Sequence, residues 1–175
     1  MNIKEKQRQS IFSKTFPFKT LENPLVLVSS FKKKPPTIMI IDDDVSSKNL
    51  YQLLLEKRGF RVLSAEDGLS AIEMLRKLPC PPDLLLVDCS MPKMDGEAFL
   101  LKLQEKLPQV FVTSKVVGFT SYDLRSADFK KIKELAFDCR EKPFGVNEFL
   151  QLVSDYVEMP SDGTNGNLTP VRICS

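Results

Sequence analysis

The chain has 175 residues, of which 42% are hydrophobic and 27% charged, the make-up of one globular domain with short extensions. A net charge of +2 excludes a general nucleic-acid coat. The absence of histidine excludes a Ser-His-Asp triad, a His-ligated metal and a histidine phosphodonor within the chain, and no stretch reaches the ~20 apolar residues of a membrane-spanning helix.

Charge is uneven along the chain. Residues 1–36 carry eight Lys/Arg against two acids, a net of +6, and the rest is acidic by four. Residues 1–35 lack sustained periodicity and read as a basic, flexible leader, with docking to an acidic partner as the sharper alternative. From residue 37 strand and helix patterns alternate. Strand one covers 37–41, an apolar run that ends on Asp42-Asp43-Asp44. A helix near 46–58 is expected to bury Leu50, Leu53 and Leu54, with Gly59 at its C-terminal cap. Strand two lies near 60–64. The next helix, about 68–78, spaces Ala71, Met74, Leu75 and Leu78 on one face and is stopped by Pro79.

Strand three, 83–88, is a second apolar run ending on an acid, Asp88. A helix near 95–106 buries Phe99, Leu100 and Leu103. Strand four, about 115–119, runs into Thr120-Ser121. A helix near 126–136 buries Phe129, Ile132 and Leu135 and shows Lys130, Lys131 and Lys133. Strand five, about 137–141, precedes Lys142, and a last helix near 145–158 buries Phe149, Leu150, Val153 and Val157. Five strands alternating with five helices predict an α/β domain, a parallel sheet covered on both faces. The domain is expected over 36–158, and the Ser/Gly/Asn/Pro-rich residues 159–175 as a disordered tail.

Ligands of such sheets bind beyond the carboxyl ends of the strands. Asp42, Asp43 and Asp88 all fall on that edge, and like charges so placed call for a cation. Oxygen-only donors in an open geometry suit Mg²⁺, and Mg²⁺ sites of this kind handle phosphate. Thr120 and Lys142 would add a hydroxyl donor and a counter-charge for a phosphoryl group.

The ordered set Asp42-Asp43, Asp88, Met91-Pro92 to Asp95-Gly96, Thr120 and Lys142-Pro143-Phe144 resembles the receiver domain of two-component response regulators. The resemblance implies a flavodoxin-like, doubly wound (βα)5 fold with strand order 2-1-3-4-5. It implies Asp88 as phosphoacceptor, not a turnover enzyme, with Asp43, Asp88 and the Ser90 backbone carbonyl on Mg²⁺ and Asp42 acting through water. Lys142 would pair with a phosphoryl oxygen, and a cis bond before Pro143 would aim it inward. Thr120 would move towards the phosphoryl group and repack strand five. Cys139 stands where the family commonly has Tyr or Phe, which puts that aromatic switch in doubt. Ser90 and Tyr122 occupy the positions that govern water access to the acyl phosphate, and Lys130, Lys131 and Lys133 would form the output face. Asp44 is assigned to the helix cap rather than to the metal.

The donor would be a histidine kinase or histidine phosphotransfer protein, and a downstream protein would read the signal. Neither the leader nor the tail has room for a DNA-binding output domain. The expected location is cytoplasmic, with the nucleus also open. Two other functions fit parts of the pattern. One is a receiver-like binding module that is never phosphorylated. The other is a haloacid-dehalogenase-type phosphatase, with Asp42 as nucleophile and Asp44 as acid/base. The second lacks a strand-end acid pair after Lys142, where only Glu148, Asp155 and Glu158 follow.

Overall fold

The computed structural model of the chain describes residues 34–120, 130–142 and 145–160. The expected leader, the tail beyond 160, Tyr122, Phe129, Pro143 and Phe144 lie outside them, as does the side chain of Lys131. The elements run β1 (Thr37–Ile41), α1 (Val45–Glu56), β2 (Arg61–Ala65), α2 (Gly68–Lys77), β3 (Leu84–Asp88), α3 (Gly96–Lys106), α4 (Pro108–Thr113), β4 (Lys115–Thr120), α5 (Lys130–Leu135), β5 (Asp138–Glu141) and α6 (Val146–Tyr156). The strands form one parallel sheet in the order β2-β1-β3-β4-β5. This is the flavodoxin-like doubly wound α/β arrangement. β1 and β3 lie side by side at its switch point, Ile41 opposite Val87, so the acids that follow Ile41 emerge next to Asp88.

The period of two along each strand divides the core into two layers. Met39, Ile41, Leu85 and Val87 pack with α2, α3, α4 and Ile132 of α5. Ile38, Ile40, Leu84, Leu86, Val117 and Phe119 pack with α1 and α6. Both faces are dry, which is why β1 and β3 read as continuous apolar runs rather than alternating ones.

Two expectations are corrected. On α1 the buried residues are Tyr51 and Leu55, with Leu54 half-buried, whereas Leu50 and Leu53 face solvent. The run Leu50, Tyr51, Leu53, Leu54, Leu55 offers two overlapping helical stripes. The sheet selects the one that stacks Tyr51 on Phe149, centroid to centroid 4.2 Å. The second correction is α4, a sixth described helix between the helix near 95–106 and strand four, where the sequence pattern predicts no element. Pro108 starts it at the first turn, where a missing N–H costs nothing, and Val110 and Phe111 anchor it to the core.

Helix ends follow their caps. Asp44 accepts the Ser47 N–H at 2.7 Å, and Gly59 takes φ +82° after α1. Asp67 caps α2, accepting the Ser70 N–H at 2.8 Å and the Lys93 ammonium at 3.0 Å. The Ser70 amide, then Lys93, hold its carboxyl down at about 2, below the ordinary 3.8. A lowered carboxylate stabilises the fold above its unfolded value and loses that contribution as pH falls towards the folded one. Asp67→Asn keeps the cap but removes the charge. Its unfolding free energy is therefore expected to fall less steeply than wild type's between pH 4 and pH 2. Parallel acid-denaturation curves for the two proteins would refute this.

Candidate functional site

The site is built where three strands end. Asp42 follows β1, held by its N–H on the Ala65 carbonyl, and is buried. Asp43 is exposed beside it. Asp88 is the last residue of β3 and is buried. One carboxylate oxygen from each of Asp42, Asp43 and Asp88 falls within 4.8 Å of the others.

Asp42 and Asp88 are organised alike. Asp42 Oδ1 accepts the N–H of Asp44 at 2.8 Å, and Asp88 Oδ1 accepts that of Ser90 at 2.9 Å. Each thus makes a local turn with the residue two positions on. The remaining Oδ2 atoms both point at one cation, Lys142 Nζ, at 2.7 Å from Asp42 and 2.8 Å from Asp88. Lys142 arrives from beyond β5, its main-chain N–H donating to the Thr120 carbonyl. Its side chain is only 12% exposed.

Burial pushes the Asp42 carboxyl above its ordinary range even though Lys142 pulls it down. For Lys142 burial also disfavours the charge, yet the bonds to Asp42 and Asp88 outweigh it and the ammonium is held above its usual range. The two shifts are consistent. The ion pair prevails for the lysine, while for Asp42, 1% exposed and near Asp88, burial prevails over the pull of Lys142.

The acid cluster fits Mg²⁺ by donor chemistry. All donors are hard oxygens, and opposite ligands of an octahedral Mg²⁺ stand about 4.2 Å apart. The three carboxylates therefore need at most a small closing movement. Asp44 is not in the cluster. Its carboxylate serves the α1 cap, and the acid/base role a dehalogenase-type reading gives it has no support in that geometry.

The loop after Asp88 is pinned at both ends. Gly96 N–H donates to the Cys89 carbonyl at 3.1 Å, and Asp95 caps α3 through Ala98 N–H at 2.8 Å. Between them Lys93 takes φ +65°, a left-handed conformation, and its ammonium reaches Asp67. Thr120 is fully buried at the end of β4. Ser90 is exposed beside Asp88. Cys139 is half-buried on β5, and its Sγ lies 3.3 Å from where a Cβ on Gly118 would stand. Cys89 crowds the same point at 3.1 Å, and burial raises its thiol far above the reactive range. Of the expected lysine face, Lys130 is exposed, Lys133 is half-buried, and the Lys131 side chain lies outside the described residues.

Sequence reasoning missed two contacts. Lys48 donates to the Asp42 carbonyl at 3.1 Å, so a side chain of α1 ties down the residue that follows β1. Tyr51 packs against Phe119 and Phe149 in the core layer beneath α1 and α6. Lys48 stands six residues after Asp42 and could have been placed once α1 was set to begin at Asp44. Tyr51 gave no separate signal among the neighbouring leucines.

Known proteins share the sequence pattern and the fold. The model of the response regulator receiver domain family matches residues 38–154. The chain is 32% identical over 124 residues to the two-component response regulator ARR22 of Arabidopsis thaliana, covering 70% of this chain and 84% of that protein. It is 30% identical over 116 residues to the DNA-binding transcriptional regulator NtrC of Escherichia coli, covering 66% of this chain but 24% of that protein. It is 36% identical over 84 residues to the sensor histidine kinase CheAY of Helicobacter pylori, covering 45% of this chain and 10% of that protein. Among solved structures, the signal receiver domain of a Bermanella marisrubri response regulator matches with a TM-score of 0.58 at 26% identity, over 70% of this chain and 98% of that one. A CheY-like receiver domain protein of Methanospirillum hungatei shares the fold, with a TM-score of 0.61 at 24% identity over 69% of this chain and 93% of that one. None of the helices among the described residues is long and apolar enough to cross a membrane. With the sheet order, the acid edge and the family match in agreement, the chain belongs to the response regulator receiver domain family of two-component signalling.

Proposed function

We propose that residues 36–158 form a phosphoacceptor domain that takes a phosphoryl group from a phosphohistidine of another protein onto Asp88. The observation that carries this reading is the placement of Asp88. Its carboxylate stands between two further acids and the ammonium of Lys142, at the open edge of the sheet. An Asp88 oxygen attacks phosphorus, the P–N bond to the donor imidazole breaks, and the imidazole takes up a proton. The product is an acyl phosphate on Asp88.

Asp43, Asp88 and the backbone carbonyl of Ser90 would hold Mg²⁺ directly, with Asp42 acting through a water. Mg²⁺ bound there supplies charge neutralisation for the transferred group. Lys142 remains paired with Asp88 and balances a phosphoryl oxygen. The Thr120 hydroxyl donates to another and draws β4 towards the site. Cys139 leaves little bulk for an aromatic rotamer switch, so output passes through Thr120 and the α5 face of Lys130, Lys131 and Lys133 to a downstream protein. Ser90 leaves the line to the acyl phosphate open, and Tyr122 is the sequence position that would limit water access. The domain acts in the cytoplasm, or in the nucleus, as a signalling unit without turnover.

The experiment is phosphoryl transfer from a phosphorylated histidine phosphotransfer protein to this chain with Mg²⁺ present. Label is expected to move to wild type and not to Asp88→Asn, and chelation of Mg²⁺ should abolish it. Label reaching Asp88→Asn equally would reject Asp88 as the acceptor.

A further inference from the structure

The loop that follows Asp88 carries a strained backbone that the acid cluster does not explain. Among the described residues other than glycine, only Lys93 takes a positive φ, at +65°. The Met94 N–H donates across it to the Pro92 carbonyl at 2.7 Å. A bond reaching two residues back over a positive φ marks the rare, strained form of the γ-turn. Residues with long side chains seldom take such a backbone, and the strain persists only where the surroundings hold it.

The Lys93 side chain supplies the hold. Its ammonium lies 3.0 Å from Asp67 Oδ2, across the gap to the β2–α2 turn. The acceptor is fixed in place. Asp67 Oδ1 takes the Ser70 N–H at 2.8 Å and the Ser70 hydroxyl at 2.9 Å, which leaves Oδ2 for the loop. The Asp67 side chain is 8% exposed, so the exposed lysine reaches an acceptor that cannot swing away. Beside this pair Met94 lies over the start of α2, where a Cβ on Gly68 would meet its Sδ at 2.8 Å. The base of the loop is closed by the Gly96 N–H on the Cys89 carbonyl at 3.1 Å. Ser90 lies inside that closed segment, its N–H on Asp88 Oδ1 at 2.9 Å. A movement of the tip at Lys93 is therefore passed to the Ser90 main chain.

We propose that the Lys93–Asp67 pair is a latch that positions the Ser90 carbonyl for the cation of the acid cluster. Neither residue belongs to that cluster, and both act through the loop. The inference rests on the phosphoacceptor reading for the Mg²⁺ it serves. The sign of one substitution separates a latch from a simple field. By charge alone, removing the Lys93 ammonium would strengthen Mg²⁺ binding and removing the Asp67 carboxylate would weaken it. A latch requires both to weaken it.

The test is calorimetric titration with Mg²⁺ alone at pH 7. Lys93→Met and Asp67→Asn should each raise the dissociation constant about threefold, within what an exposed ion pair supplies. The double variant should be no weaker than either single one, because both remove the same contact. Lys93→Arg keeps the charge and should restore wild-type binding. A second readout needs no metal. In chelator the Gly96 amide of Lys93→Met should exchange with solvent about threefold faster than in wild type, relative to the β3 amides, as a local loosening of the loop requires. Tighter Mg²⁺ binding by Lys93→Met, or an unchanged constant in both single variants, would overturn the latch. Wild type that binds no Mg²⁺ would overturn it as well. Wild type that shows these shifts yet takes no phosphoryl group from acetyl phosphate would reject the phosphoacceptor reading and leave the latch standing.

Discussion

Lys142→Met is expected to destabilise the metal-free protein by about 3 kcal/mol at neutral pH, the scale seen when one partner of a buried ion pair is removed. The side chain of Asp42 is 1% exposed and that of Asp88 10%, and both direct Oδ2 at the Lys142 ammonium. Met fills the volume of the stem but leaves the carboxylates facing one another. Two signs of pH dependence follow. Lys142, raised by its partners, contributes stability that is present below 10.5 and is lost only as pH rises through its folded value. Asp42, raised by burial, binds its proton more tightly when folded, so acid relieves its cost. The gap between variant and wild type should therefore be widest near neutrality and narrow towards pH 4. Mg²⁺ should stabilise the variant more than wild type, since a cation replaces the lost ammonium and stabilises whichever state binds it. Equal denaturation midpoints for the two proteins in chelator at pH 7 would show that the pair contributes nothing.

Gly96→Ala carries the second large effect. A Cβ there would stand 2.8 Å from the Cys89 Cα and 3.1 Å from the Asp88 carbonyl oxygen. Both are main-chain atoms at the end of β3, so the strand end or the start of α3 must move. A cost of about 2 kcal/mol is expected, the middle of the overpacking range. Because the displaced segment carries Ser90, Mg²⁺ affinity should fall as well. Gly68→Ala is the control. Its new methyl meets Met94 Sδ at 2.8 Å, the far end of an adaptable side chain, and the Phe99 Cβ at 3.1 Å. Its cost should be smaller, under about 1 kcal/mol. Urea denaturation of both variants, with Mg²⁺ titration of each, measures the contrast. A Gly96→Ala protein as stable as Gly68→Ala would mean that the loop yields where its packing says it cannot.

What could be read from residues alone follows from how strongly each signal is constrained. β1 and β3 are short apolar runs ending in acids, and a parallel strand buried on both faces has few other ways to look. Asp42, Asp43 and Asp88 could therefore be brought to one edge before any coordinates. Asp44 could be set apart because an acid three residues before an amide at a helix start is a cap. The facing of α1 was not legible. Leu50 and Leu53 are as apolar as Leu54 and Leu55, and only the stacking of Tyr51 against Phe149 fixes the rotation. The short α4 was hidden because six residues carry less than two turns of periodicity. The Lys93–Asp67 bridge, joining positions 26 apart, depends on a left-handed lysine that sequence pattern does not announce.

The central claim is that Asp88 accepts a phosphoryl group in a Mg²⁺-dependent reaction, and intact mass after incubation with acetyl phosphate tests it most directly. Wild type with Mg²⁺ should gain the mass of a single phosphoryl group, stable in mild acid and removed by hydroxylamine. Asp88→Asn, and wild type in chelator, should gain nothing. Wild type that binds Mg²⁺ yet stays unmodified by both acetyl phosphate and a phosphorylated histidine phosphotransfer protein would contradict the account and leave a receiver fold used as a binding module.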